Sequence, residues 1–147
     1  MKDIREMIYQ PLLTFILLGL IVPVTAGVQI TNRISFSTSF PFTVGNTKFP
    51  PGSYSIRPLD DDEEIMEITT ADGKTSAMFE TMMVQVPKSP SKGEVVFKKY
   101  GENYVLSEIY EPGSKIGVMT IKTHAERQQA KKYGTPSKES VATKANP

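Results

Sequence analysis

Phe40-Pro41-Phe42-Thr43-Val44-Gly45-Asn46-Thr47-Lys48-Phe49-Pro50-Pro51-Gly52-Ser53-Tyr54-Ser55-Ile56 is the stretch whose pattern points to the fold. Phe40, Phe42 and Val44 alternate with Pro41 and Thr43, the period-two pattern of a half-buried strand. Gly45-Asn46 and Pro50-Pro51-Gly52 then combine permissive and fixed backbone angles, which force turns. Tyr54 and Ile56 resume the alternation. The pattern predicts two apolar-faced strands around a stiff, proline-punctuated connection, a hairpin-like unit.

Outward from that unit the same style repeats. Val28, Ile30, Ile34 and Phe36 alternate with a slip near Asn32, as in a strand with a bulge. Pro58 ends the strand that holds Tyr54 or confines it to an edge. Ile65, Met66 and Ile68 form a short strand, and Asp72-Gly73 between alternating runs signals a type I′ hairpin. Residues 75–86 read as a long strand apolar on both faces, central to two layers or bent between two cores. Residues 95–97 and 104–106 form another hairpin, and Pro112-Gly113 turns the chain before Ile116, Val118 and Ile121. With turn signals so close together, sequence neighbours are expected to be spatial neighbours. The expected fold is all-β, a small antiparallel up-and-down barrel or sandwich of about seven to eight strands at residues 27–122.

The ends differ in character. Residues 12–22 are an uncharged apolar run of signal-peptide length, followed by the breaker Pro23 and the small residues of Val24-Thr25-Ala26. This predicts a signal peptide at 1–26 and a protein exported to the periplasm or the cell exterior. A spanning helix needs about 20 apolar residues, and residues 7–28 reach that length if Pro23 is tolerated. The competing readings are thus an uncleaved anchor and a buried core helix, and membrane contact is expected only through this segment. Residues 123–133 carry helix formers behind a Thr-x-x-Glu capping box, with Gly134 as the stop. Residues 134–147 are poor in large apolar residues and read as a disordered tail. From Thr123 onward five basic residues face two acids, which makes the tail mildly basic.

Pro41-Phe42-x-Val44-Gly45 with Phe49-Pro50-x-Gly52-x-Tyr54-x-Ile56 resembles a group of small exported bacterial proteins of uncharacterised function. The later Phe97-Lys98-Lys99-Tyr100-Gly101-Glu102-Asn103-Tyr104 and the helix after Thr123 are similar to that group as well. The resemblance spans about residues 40–132. Phe49 stands where leucine is common in the group, and Pro51 where alanine is common. The resemblance implies export and an all-β fold, and it implies no activity.

The 147 residues include no cysteine, which removes disulfides, thiolate metal sites and a cysteine nucleophile. A net charge of +1 provides no field to draw nucleic acid. His124 is the one histidine, at a polar helix start where a triad or histidine metal site is hard to build. Asp60, Asp62 and Glu64 have the spacing of the first calcium-loop ligands. Ile65 and Ala71, however, stand where that loop needs glycine and glutamate. The run is better read as a solvated turn that protects strand edges.

Glu80, Glu94, Glu102 and Glu108 offer carboxylates for a hydrolytic pair, with Glu80 and Glu108 foremost because each interrupts an apolar strand face and is expected to point into the barrel. Tyr54, Met78, Tyr104 and Tyr110 are the candidate ligand-lining residues; aromatic cross-strand pairs and methionines otherwise act as core filler. The reading therefore assigns no catalytic residue, cofactor or metal. It favours a non-enzymatic, exported interaction or envelope-associated module, pairing with proteins or with itself through an edge strand. The alternative is a carrier holding a small apolar or aromatic ligand inside the barrel; a carboxylate hydrolase ranks last. N-terminal sequencing of the protein from an envelope fraction is expected to begin at Gly27; retention of Met1 would establish an anchor instead.

Overall fold

A computed structural model describes residues 33–59, 61 and 64–144. The signal segment, the first part of the strand expected from Val28, and Asp60 and Asp62 lie outside the described residues. The chain forms β1 (Ile34–Thr38), β2 (Phe42–Val44), β3 (Thr47–Phe49), β4 (Gly52–Pro58), β5 (Ile65–Thr70) and β6 (Ser76–Gln85). It continues through β7 (Glu94–Tyr100), β8 (Asn103–Tyr110), β9 (Ile116–Thr120), α1 (His124–Tyr133) and β10 (Ser137–Ala142). The described residues are thus mostly β with one short helix near their C-terminal end, and their ten strands exceed the expected seven to eight.

Both additional strands have physical reasons. Gly45, at φ 59°, allows a two-residue turn, so Val44 faces Thr47 and Phe42 faces Phe49 inside the stretch read as a connection. The strand from Gly52 does not pair with β2. After the Pro50-Pro51 break it pairs with β1 and β5. The other addition corrects the expectation of a disordered tail. Ser137–Ala142 lies antiparallel to β7, with Val141 against the core. Just beyond β10, the Lys144 N–H donates to Ser35 O at 2.7 Å, joining that end of the chain to β1.

The strand order β1-β4-β5-β6-β9-β8-β2-β3, with β7 on β8 and β10 on β7, is mixed rather than up-and-down. β2 runs parallel to β8 through Phe42–Tyr104 and Thr43–Val105. β9 sits between β6 and β8, so β6 and β7 are not neighbours. The Asp72-Gly73, Tyr100–Asn103 and Pro112-Gly113 turns are where the sequence places them.

Alternation delivers one side chain in two to the core. Phe36, Phe42, Phe49, Phe97, Tyr54, Ile56, Met66 and Ile68 are all buried there. Phe97 sits 5.0–6.1 Å, centroid to centroid, from the rings of Phe36, Phe40 and Phe42, partly edge-on. On β8 the register shifts opposite Val96 and Phe97, leaving Ser107 as an extra residue. That bulge explains how Leu106 and Ile109, an odd number of residues apart, both join the core. It also leaves Glu108 on the face away from Ile109, not towards the interior. Truncating Phe97 to Ala should cost about 3–5 kcal/mol. Met83→Ala, at a side chain 76% exposed, should stay within about 0.5 kcal/mol. Urea unfolding of both variants tests this division between core and surface.

Candidate functional site

An apolar-walled cleft opens where β6 and β8 part. β6 pairs with β5 through Ser76–Glu80 and with β9 through Thr81–Gln85. β9 ends at Thr120, and its bridge to β8 covers only Glu108–Tyr110. Beyond that end the first half of β8 pairs with β2 through Tyr104 and Val105, while the first half of β6 has β5 on one side alone among the described residues. A cleft of about 490 Å³ occupies the space. Phe79, Val105 and Leu106 form its floor, and Ile65, Met78 and Ile121 its exposed lips.

Three elements bring polar groups to it: Glu80 from β6, Thr120 from β9, and Lys122, Thr123 and Glu126 from the start of α1. The Thr120 hydroxyl donates to Leu106 O at 2.9 Å. The Thr123 side chain caps α1 by accepting from the Glu126 N–H at 3.2 Å. Glu126 itself is 4% exposed, and its Oε1 accepts from the Tyr100 hydroxyl at 3.0 Å. Its carboxylate therefore turns to β7, rather than back to the cap as a full capping box would have it. The ring of Tyr133 at the other end of α1 stands where a Cβ on Gly101 would lie. Tyr100 and Gly101, the turn of the β7–β8 hairpin, thus seat the helix and hold Glu126 at the cleft.

A second cluster lies on the face of β8 away from the core. Glu108, 8% exposed, accepts from the Tyr110 hydroxyl at 3.1 Å and from Lys138 Nζ of β10 at 2.8 Å. Burial first, then the Glu108 charge, pushes the Tyr110 hydroxyl well above the ordinary tyrosine range. Gly117 is required opposite Tyr110, since a Cβ there would fall 2.4 Å from both Ile109 O and the Tyr110 ring.

The four residues proposed from sequence to line one ligand are not brought together. Tyr54 is packed in the core, with its hydroxyl donating to Pro50 O. Tyr104 is half-buried, stacked 4.0 Å from Phe40 with Lys99 Nζ 5.2 Å from its ring. Tyr110 belongs to the Glu108 cluster. Met78 alone lines the cleft, and it does so from outside, 70% exposed. Glu64 is exposed, and no group of three or more potential acidic or histidine metal ligands occurs among the described residues. His124 is exposed. Sequence reasoning missed Ile65 and Ile121 as cleft lips, having read both as strand interior. It read Glu126 as half of a cap, and the Thr-x-x-Glu motif was the signal available.

Comparison with protein-family models, with curated proteins and with solved structures finds no match. No helix among the described residues is long and apolar enough to cross a membrane.

Burial first, then the bond to Glu126 and its charge, pushes the Tyr100 hydroxyl up to about 12. A folded-state pKa above the unfolded value of about 10 supplies stability that is complete below pH 10 and lost as pH rises towards 12. Comparing urea unfolding of the parent and Tyr100→Phe at both ends of that window isolates the effect. The parent should lose about 2–3 kcal/mol more than the variant across it.

Proposed function

We propose that the protein is an exported, non-enzymatic β-domain that serves as an interaction or envelope-associated module, periplasmic or extracellular. The observation that carries this reading is where the apolar surface lies. The interior is filled by aromatic and branched side chains, while Met78 and Met82 share one face of β6 and face solvent, with Ile65 and Ile121 on either side of Glu80 between them. Exposed apolar groups at neighbouring positions mark a binding surface more often than isolated ones do. Flexible thioether side chains adapt to varied apolar partners. The filled core argues against the alternative of a carrier with a ligand held inside. Export rests on the charge-free apolar run, the Pro23 break and the small residues before Gly27.

The finer fold in this reading is a barrel. It is supported by the path β1-β4-β5-β6-β9-β8-β7-β10 together with the Lys144–Ser35 bond, which leads back to β1. Strands so arranged shield their edges from unwanted pairing, leaving side chains rather than backbone to recognise a partner.

A photo-crosslinking residue placed at Met82 tests the proposal in cells. It should give a discrete protein adduct in the envelope fraction that Met119→Glu, opposite Met82 on β9, abolishes, whereas the same probe at Lys48 should give none. Equal labelling from both positions, or none from Met82, would overturn it.

A further inference from the structure

We propose that the cleft between β6 and β8 is a binding site for a small apolar molecule with a hydrogen-bond-donating head, an organic amine above all. This goes beyond the partner-binding reading and does not depend on it, because Met82 and Met83 lie outside the cleft lining.

The body of the ligand follows from the walls. A volume of about 490 Å³ falls within the range of roughly 300–1,000 Å³ typical of small-molecule sites. The floor of Phe79, Val105 and Leu106 is fixed by the core, so it is preformed. Ile65, Met78 and Ile121 stay partly in water around it, and an apolar occupant would remove that exposed surface.

The head follows from the hydrogen-bond accounts. The Thr120 hydroxyl donates to Leu106 O, and the Thr123 hydroxyl accepts from the Glu126 N–H and keeps its own proton. The buried charged group of the cleft is the Glu126 carboxylate, which when ionised only accepts, whereas Glu80 is exposed at the lip. The Glu126 carboxylate has capacity for about four hydrogen bonds; the structure shows one side-chain bond, from Tyr100. Neither Glu126 nor Glu80 has an ion-pair partner among the described residues. The positive end of α1 offsets part of the Glu126 charge, and Lys122 adds a cation on an exposed residue. The field is therefore weakly negative, and the selection rests mainly on the buried Glu126 carboxylate. An amine adds a charged donor to it, whereas a fatty acid brings a second carboxylate and a like charge, for which the Thr123 hydroxyl is the competing donor.

Titrating the protein with hexylammonium and with hexanoate, followed by amide chemical shifts, tests this. Hexylammonium should give saturable shifts at Gly45, Ile65, Leu106 and Ile121, with hexanoate at least about tenfold weaker, the effect of one charged hydrogen bond. Glu126→Gln should weaken the amine by about tenfold or more. Should that variant disturb α1, Met78→Ser on the exposed lip provides the independent check and should also weaken binding. Hexanoate binding as tight as the amine, no saturable shift at these residues, or undiminished binding in both variants would each overturn the proposal. Photo-crosslinking at Met82, outside the cleft lining, is unaffected by any of these results, so the two readings fail separately.

Discussion

The contact on which the structure depends is the aromatic cluster at its centre. Phe36 of β1, Phe42 of β2, Phe49 of β3, Tyr54 of β4 and Phe97 of β7 meet with ring centroids about 5–6 Å apart. Five strands thus contribute one ring each, and several pairs adopt the edge-on geometry that adds to simple burial. A chain without cysteine has no covalent staple, so packing of this kind and the strand ladders must offset the entropy of folding. With its centre occupied by fixed rings, the domain leaves its remaining apolar side chains on the outside, where β6 exposes Met78, Met82 and Met83.

The character of that outside follows from one bent strand and one short one. β6 serves β5 with its first half and β9 with its second, and the backbone bonds change hands between Glu80 and Thr81. Glu80 O accepts from the Ile121 N–H at 3.0 Å, while the Thr81 N–H donates to Glu64 O at 2.8 Å. The main-chain groups at the changeover are thereby satisfied, as buried backbone must be. Side chains there have no such constraint. Because β9 stops at Thr120, the first half of β6, with Met78, has no strand on the side away from β5 among the described residues, and the cleft opens there.

Alternation made the fold class legible. Phe42/Val44, Tyr54/Ile56 and Met66/Ile68 all bury the residues that their period marks. Asp72-Gly73 and the Thr123–Gly134 helix were legible because the local backbone chemistry suffices to specify them. Strand partnership was not, because a period of two reports which face a residue takes and says nothing about the adjacent strand. Nothing local tells β4 to pair with β1, or β2 to run parallel to β8. The C-terminal strand shows the limit most clearly. Ser137–Ala142 offers one useful apolar residue, Val141, and its reason to be ordered lies 30 residues away in sequence at Glu108. Tyr54 was taken for a ligand contact because an alternating aromatic looks the same in sequence whether it faces a cavity or three other rings.

The two buried carboxylates separate structural from available chemistry. Each takes a hydroxyl hydrogen bond from a tyrosine, a neutral donor that offsets the cost of burying the charge. Glu108 is then completed: Oε2 holds Tyr110, and Oε1 holds the Lys138 ammonium. Removing Lys138 would leave the buried charge without its cation, so this glutamate is bound to the architecture. Glu126 receives its phenol at Oε1 and has no cation beside it among the described residues. Part of its balance comes from the end of α1, whose partial charge is smaller than a full ion. A buried carboxylate left with unused acceptor capacity, at the edge of an apolar cleft, is where this fold has kept a polar group for something other than itself.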